Sequence, residues 1–423
     1  MAAQRSDGAS TLSLLGDLVS TIFERRYRRA LSQDADARTT TELATQLLGS
    51  HGEVSGGTLA RMILDRYAQM GLDEKQALFE FMTHDLEIED EAVLTTLRGY
   101  RDAPSRHSYR AFAAACEPQR QELARRLNQV PGATGQLVAM RKDLLQLLPD
   151  RPDLEPLDVD FKHLFASWFN RGFLVLSPLN WASPAETLEK IITYEAVHAI
   201  DSWDDLRRRL QPADRRCFGF FHPAMADEPL IFVEVALTRG IPGSVQALLA
   251  DARATIDPED ADTAVFYSIS NCQAGLAGIS FGNSLIKQVV SDLSRELPGL
   301  TKFATLSPIP GLNTWLQHSK SDVPIAGNEG ALAAHYLLEA KRADGMPVDP
   351  VARFHLGNGA TIHAVHTGAD VSENGIAQSN GAMVNYLYDL GKIAKNHEDF
   401  VTNKTVTTSP EVRALSASLG ADT

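Results

Sequence analysis

The stretch TAVFYSISNCQAGLAGISFGNSLIKQVVSDLSRELPGLTKFATLSPIPGLN, from Thr263 to Asn313, decides how the chain is read. Its first part, Ala264 to Ser270, is apolar, β-branched and aromatic, which predicts a strand. A loop bearing Gly275, Gly278 and Gly282 follows. Leu285, Ile286, Val289, Val290 and Leu293 then recur at helical spacing, and Pro298 and Gly299 end that helix. A second strand, Phe303 to Leu306, runs into Ser307-Pro-Ile-Pro-Gly311. The result is a β–loop–α–β unit in which a helix N-terminus faces a glycine loop. Free backbone N–H groups and the helix dipole favour an anion there, such as phosphate or pyrophosphate. Lys287, one turn into the helix, either meets a phosphate or simply faces solvent, as helix lysines usually do. Ser307 arrives at the carboxyl end of the second strand, beside the same loop.

Working outward from this unit, Cys217–His222 and Leu230–Leu237 flank a turn-rich segment and read as a hairpin. Asp160–Phe169, Thr187–Ala196 and Asp201–Leu210 read as helices, and the run Arg207-Arg208-Arg209 reads as a solvated face. Downstream, Ala331–Lys341 is a predicted helix and Ala360–His366 a predicted strand. The polar stretch Thr405–Thr423 is expected to be a mobile tail. Everything before this part reads as helix. Leu15 to Phe23 carry one apolar face, Thr39-x-x-Glu42 has the form of a capping box, and Leu59, Met62, Ile63 and Tyr67 line a third helix. Asp73-x-x-Gln76 is expected to open the next, and Pro118 to occupy a first helical position. Pro149 to Pro156 hold three prolines and predict a linker. The expected organisation is α+β. Residues 1–157 form an all-helical bundle that serves homo-oligomer assembly, and residues 158–423 form a mixed-sheet α/β domain.

Composition narrows the function. A chain of 423 residues with 44% hydrophobic and 22% charged residues is globular and long enough for two domains. Its net charge of −14 excludes a nucleic-acid binder with a basic footprint. Cys116, Cys217 and Cys272 lie far apart with no CxxC spacing, so no structural metal and a reducing compartment are expected. The acidic cluster Asp85–Glu91 has no accompanying histidine spacing and reads as a solvated face. No apolar run reaches the ~20 residues of a membrane span. The N-terminus does not have the form of a secretory signal, so a cytoplasmic, membrane-free protein is expected.

Six phrases, in order, resemble the malonyl-CoA decarboxylase family: SPLNWASPAETLEKIITYEAVHAIDSWDDLRRRL, EPLIFVEVALTRGIP, VFYSISNCQAGLAGISFGNSLIKQVV, LSPIPG, FHLGNGA and MVNYLY. The match runs from about Asp158 to Tyr388. The resemblance implies a catalytic domain of the GNAT acyltransferase fold behind a helical domain. It implies malonyl-CoA as substrate and no cofactor, because the thioester itself stores the electrons released with CO2. It places the family's catalytic serine at Ser307 and its catalytic histidine at His355. Asn358 and Tyr388 fall in matching motifs as further site residues, and the loop with Gly275, Gly278, Gly282 and Lys287 would hold the CoA pyrophosphate. Ser280 stands where some relatives have an acidic residue, which tells against any mechanism needing a carboxylate there.

Read without the resemblance, Ser307 before proline is a turn residue and His355 a structural histidine at the mouth of the strand Ala360–His366. Tyr386 and Tyr388, two apart, cannot share one helix side, so one is expected in the core. A CoA-dependent acyltransferase on the same fold and a non-catalytic CoA-binding scaffold are the competing readings.

Overall fold

The computed structural model describes residues 37–50, 52–279, 285–319 and 324–420. The expected apolar face Leu15–Phe23 lies outside them, as do Ser280 and Gly282. The chain divides into two compact units. One runs to Trp168 and includes Ala274–Ile279; the other holds Phe169–Gln273 and the residues after Ile279.

The helical unit contains α1 (Thr40–Gly49), α2 (Glu53–Tyr67), α3 (Leu72–His84), α4 (Asp90–Asp102), α5 (Arg106–Ala115), α6 (Gln119–Leu127), α7 (Ala133–Leu147) and α8 (Glu155–Trp168). The Thr39–Glu42 capping box forms: Glu42 N–H donates to the Thr39 hydroxyl at 3.2 Å and Thr39 N–H donates to the Glu42 carboxylate at 2.6 Å. Two expected helix starts shift by a residue or more. Helix α3 begins at Leu72, with the Glu74 carboxylate accepting from Gly71 N–H at 2.9 Å. Pro118 is the residue before the first helical position of α6.

The expected linker is corrected. Pro152 opens a short 3-10 turn and Pro156 lies in the first turn of α8, where a missing N–H loses no helical bond. Leu154, Leu157 and Phe161 are buried there. These prolines therefore start a core helix, and the boundary expected at 157 falls at Trp168. Helices α4 and α5 bury no residue at all.

The second unit contains β1 (Val175–Leu179), α9 (Ala185–Tyr194), α10 (Trp203–Leu210), β2 (Arg215–His222), β3 (Met225–Thr238), α11 (Val245–Leu249), β4 (Thr263–Asn271), α12 (Leu285–Glu296), β5 (Lys302–Thr305) and β6 (Ser307–Pro308). It continues with α13 (Leu312–His318), α14 (Glu329–Glu339), α15 (Pro350–Gly357), β7 (Thr361–His366), α16 (Glu373–Ser379), β8 (Met383–Leu387), α17 (Ile393–Asn403) and α18 (Pro410–Ala417). The sheet order is β1-β2-β3-β4-β5-β8-β6, with β7 also paired to β8. Strands β1 to β4 are antiparallel, as the predicted hairpin requires. Strands β4 and β5 are parallel, because the α12 crossover returns the chain to the same end. The fold class is thus a helical unit followed by a mixed-sheet α/β unit, as the sequence leads one to expect.

The main core fills with Ile286, Val289 and Leu293 of α12, Phe266 and Phe303 of the parallel pair, and Leu337 and Leu356 from α14 and α15. Each such side chain contributes roughly 1.5–3 kcal/mol by leaving water. Two further expectations are overturned here. The segment expected to be a mobile tail forms α18, whose Val412 is buried in that core. The arginine run on α10 is not wholly solvated. Arg209 is buried, donating to the carbonyls of His198 and Ala199 and pairing with Glu234 and Asp205.

Candidate active site

The site is assembled by β8. Strand β6 pairs with it through Ser307 and Val384, while β7 pairs with it through Ile362 and Tyr386. This brings Ser307 next to the helix that precedes β7. That helix, α15, starts with Asp349 as its cap, whose carboxylate accepts Ala352 N–H at 2.7 Å, and with Pro350 in its first turn. His355 lies near its C-terminal end. The FHLGNGA motif is the end of this helix, and the turn that leads from it into β7 needs Gly359 at φ 84°.

Ser307 Oγ and His355 Nε2 are 3.2 Å apart, and both residues are buried. The other ring nitrogen, Nδ1, is 2.7 Å from the Tyr388 hydroxyl. The Tyr386 ring stacks on the imidazole, with centroids 4.4 Å apart and planes 25° from parallel. Ser307 also donates to the Thr305 hydroxyl at 2.8 Å, and Thr305 Oγ1 accepts Tyr386 N–H at 3.2 Å. Both tyrosines thus face the same histidine. Only on a helix would their spacing separate them; Tyr386 lies in the strand Met383–Leu387 and Tyr388 directly follows it, and in extended chain residues two apart share a face.

Burial without a charged partner governs the electrostatics. It pushes the His355 imidazolium down to about 3, so the ring is neutral near pH 7. It pushes the Tyr388 phenol up, well above its ordinary value, so that group keeps its proton.

Ser307 and His355 form part of the wall of a cavity of about 270 Å³, together with Val197, Phe266, Ile269 and Phe354. Tyr267 also lines it. In the β3–β4 register Glu234 faces Ser268 and Val235 faces Phe266, so Tyr267 is a bulge residue with no cross-strand partner. Bulges of this kind recur beside active sites.

The remaining expected site residues lie elsewhere. The Asn358 side chain donates to the Phe354 carbonyl at 2.7 Å, closing the end of α15. Lys287 is half-buried on the first turn of α12. Gly278 has φ 74°, which favours glycine. Gly275 belongs to the helical unit, where an added Cβ would lie 1.9 Å from the Val138 carbonyl oxygen. Its own carbonyl accepts from Arg141 Nη1 at 2.6 Å, and the Ala277 carbonyl accepts from Nη2 at 2.9 Å. Arg141 is buried and paired with Asp158 at 2.7 Å. Thr305 was missed by the sequence reading. Its signal was available, since it precedes Ser307 by two residues along one strand direction.

Among the described residues, no group of three or more His, Cys, Asp or Glu side chains could hold a metal ion. No described helix is long and apolar enough to cross a membrane.

A helical unit followed by a mixed sheet that carries a buried serine–histidine pair against a small cavity defines an α+β class with the parts for acid–base chemistry on a small group. Family models resolve that class further. The model described as malonyl-CoA decarboxylase C-terminal domain matches residues 172–329 and 323–422, and the malonyl-CoA decarboxylase N-terminal domain model matches residues 86–169. The chain belongs to the malonyl-CoA decarboxylase family. It is 34% identical over 348 residues to "Malonyl-CoA decarboxylase, mitochondrial" of Anser anser anser, covering 70% of this chain and 69% of that protein. The crystal structure of malonyl-CoA decarboxylase from Rhodopseudomonas palustris is similar at TM-score 0.85 and 45% identity, covering 89% of this chain and 98% of that one. That from Agrobacterium vitis is similar at TM-score 0.84 and 46% identity, covering 89% and 99%.

Proposed function

We propose that the chain decarboxylates malonyl-CoA to acetyl-CoA and CO2. The observation that carries this reading, within a chain of this family, is the Ser307–His355 hydrogen bond in the wall of the 270 Å³ cavity. Breaking the bond between the α-carbon and the carboxylate releases CO2 and leaves the electron pair on a thioester enolate. The carboxylate must stand out of the thioester plane for that bond to overlap the carbonyl π system. Ser307 orients it by donating a hydrogen bond, and His355 polarises the serine and supplies the proton for carbon, directly or through Ser307. The bulge at Tyr267 offers a peptide group in the cavity wall as a donor to the enolate oxygen. The thioester stores the charge, so the proposed chemistry draws on no cofactor. Lys287 is proposed to meet a CoA phosphate.

The test is acetyl-CoA and CO2 release from malonyl-CoA with no acyl acceptor present. Release without an acceptor separates this reading from an acyltransferase, and any turnover separates it from a scaffold. Ser307→Ala and His355→Gln should each lower turnover about 10²–10³-fold, the usual cost of one preorganised donor. Near-full activity in both would remove the pair from the mechanism.

Two further proposals concern setting. Copies of the chain assemble through α4 and α5, which bury nothing although Tyr100, Tyr109 and Phe112 cluster between them. All three cysteines are free thiols, which supports a reducing, cytoplasmic location.

A further inference from the structure

Four side chains form one hydrogen-bonded row: Tyr388, His355, Ser307 and Thr305. Each end limits where the protons can be. Tyr388 is buried, and its hydroxyl contacts His355 Nδ1 at 2.7 Å. At the other end, the geometry lets the Ser307 hydroxyl donate to Thr305 Oγ1, not the reverse. Thr305 Oγ1 also accepts Tyr386 N–H, so both of its lone pairs are engaged.

A neutral imidazole has one ring proton to place. If Nδ1 carried it, Nε2 would have to accept the Ser307 proton. The Ser307 and Thr305 oxygens would then face each other at 2.8 Å with no proton between them. The Tyr388 proton would also be turned away from its ring nitrogen, in a buried site. With the ring proton on Nε2, each contact has one donor and one acceptor. Tyr388 donates to Nδ1, Nε2–H donates to Ser307, and Ser307 donates to Thr305.

We infer that the row runs one way, from Tyr388 to Thr305, so that His355 meets Ser307 as the Nε2–H imidazole. Thr305 and Tyr388 are the positioning residues that hold it in that form. The consequence concerns what Ser307 is for. A hydroxyl that accepts an N–H becomes a stronger donor through its own proton. It also has no base beside it to remove that proton, so it is not an activated nucleophile. The site is set to deliver hydrogen bonds and a proton, not to form an acyl-enzyme.

This chemistry rests on the decarboxylase reading, but the polarity of the row does not. During turnover the Ser307 O–H turns from Thr305 to the substrate. Once CO2 has left, the enolate carbon takes the Ser307 proton. Ser307 takes the Nε2 proton, and one solvent proton entering through the cavity that His355 lines returns to Nε2, so Tyr388 keeps its proton and the row keeps its direction.

Two measurements test the row. The first is ¹⁵N NMR of histidine-labelled protein, with the His355 resonances assigned by their loss in His355→Gln. The expected result is a protonated Nε2 and a bare Nδ1 in the substrate-free enzyme near pH 7. A proton on Nδ1 overturns the inference whatever the activity. The second compares Thr305→Val with Thr305→Ser. Thr305→Val should lower kcat about tenfold with KM within about twofold, and Thr305→Ser, which keeps the acceptor, should restore kcat to within about twofold. A Thr305→Ser variant as poor as Thr305→Val, or a fall expressed in KM alone, overturns the positioning role. If the Nε2–H form is observed but malonyl-CoA is not decarboxylated, the row stands and the functional reading falls.

Discussion

Gly275→Ala separates packing from ligand binding at a position that sequence alone assigns to a ligand. The perturbation is one methyl group. Its Cβ would lie 1.9 Å from the Val138 carbonyl oxygen and 2.8 Å from the carbonyl carbon, both backbone atoms of α7. Neither can rotate away, so the segment or the helix must move by about 1 Å, and close-packed interiors do not absorb such a shift freely. Overpacking of this kind costs about 1–3 kcal/mol. The same movement disturbs the bonds from the buried Arg141 to the Gly275 and Ala277 carbonyls. A hydrogen bond to a charged group contributes about 1.5–3 kcal/mol. A total loss of about 3–5 kcal/mol is expected, which for a unit of this size lowers Tm by roughly 6–20 °C. Thermal unfolding followed by far-UV circular dichroism reads this directly. Gly99→Ala on α4 is the control: nothing lies within 4 Å of its added Cβ, so it should be neutral or slightly stabilising. A Gly275→Ala protein melting within about 2 °C of wild type, with KM for malonyl-CoA raised, would refute the packing argument and make Gly275 a ligand contact.

Buried neutral His355 has a folded pKa of about 3 against 6.5 in the unfolded chain. Between those values the unfolded state binds the proton, so its contribution is complete above pH 6.5 and lost as pH falls towards 3, at about 1.4 kcal/mol per pH unit. Urea unfolding at pH 7, 6, 5 and 4 should show a shallower decline for His355→Gln than for wild type; equal slopes would count against His355 as the source. Leu94→Glu combined with Tyr109→Glu should reduce the mass measured by light scattering while leaving helicity intact, because both exposed apolar side chains lie on α4 and α5. An unchanged mass places the assembly surface elsewhere.

Much of the fold was legible because its signals are local. The periodicity of Leu285 to Leu293 marks α12, the β-branched run from Ala264 marks β4, and Thr39 with Glu42 marks the start of α1. The errors arose where a local signal has two outcomes. Three prolines between 149 and 156 read as a linker, yet proline suits a helix's first turn as well as a loop. Only the burial of Leu154 and Leu157 chooses between them. A run of three arginines reads as solvated, but Arg209 finds carboxylates and carbonyls from distant segments, and nothing at positions 207–209 encodes those partners.

By itself the sequence determined the two-part α+β organisation, the β–loop–α–β unit and the family. It also singled out Ser307 and His355, through motifs 48 residues apart. It could not decide what the glycine loop does. Gly275 has no room for a Cβ because of Val138, which lies far back in the chain. Nor could it order the site. The Tyr388–His355–Ser307–Thr305 row exists because β8 pairs with β6 and β7 at once, setting side chains from three separate segments within hydrogen-bond distance. Secondary structure follows from neighbours in sequence, whereas hydrogen-bond polarity and burial depend on which segments share a sheet, and that is decided only when the chain has folded.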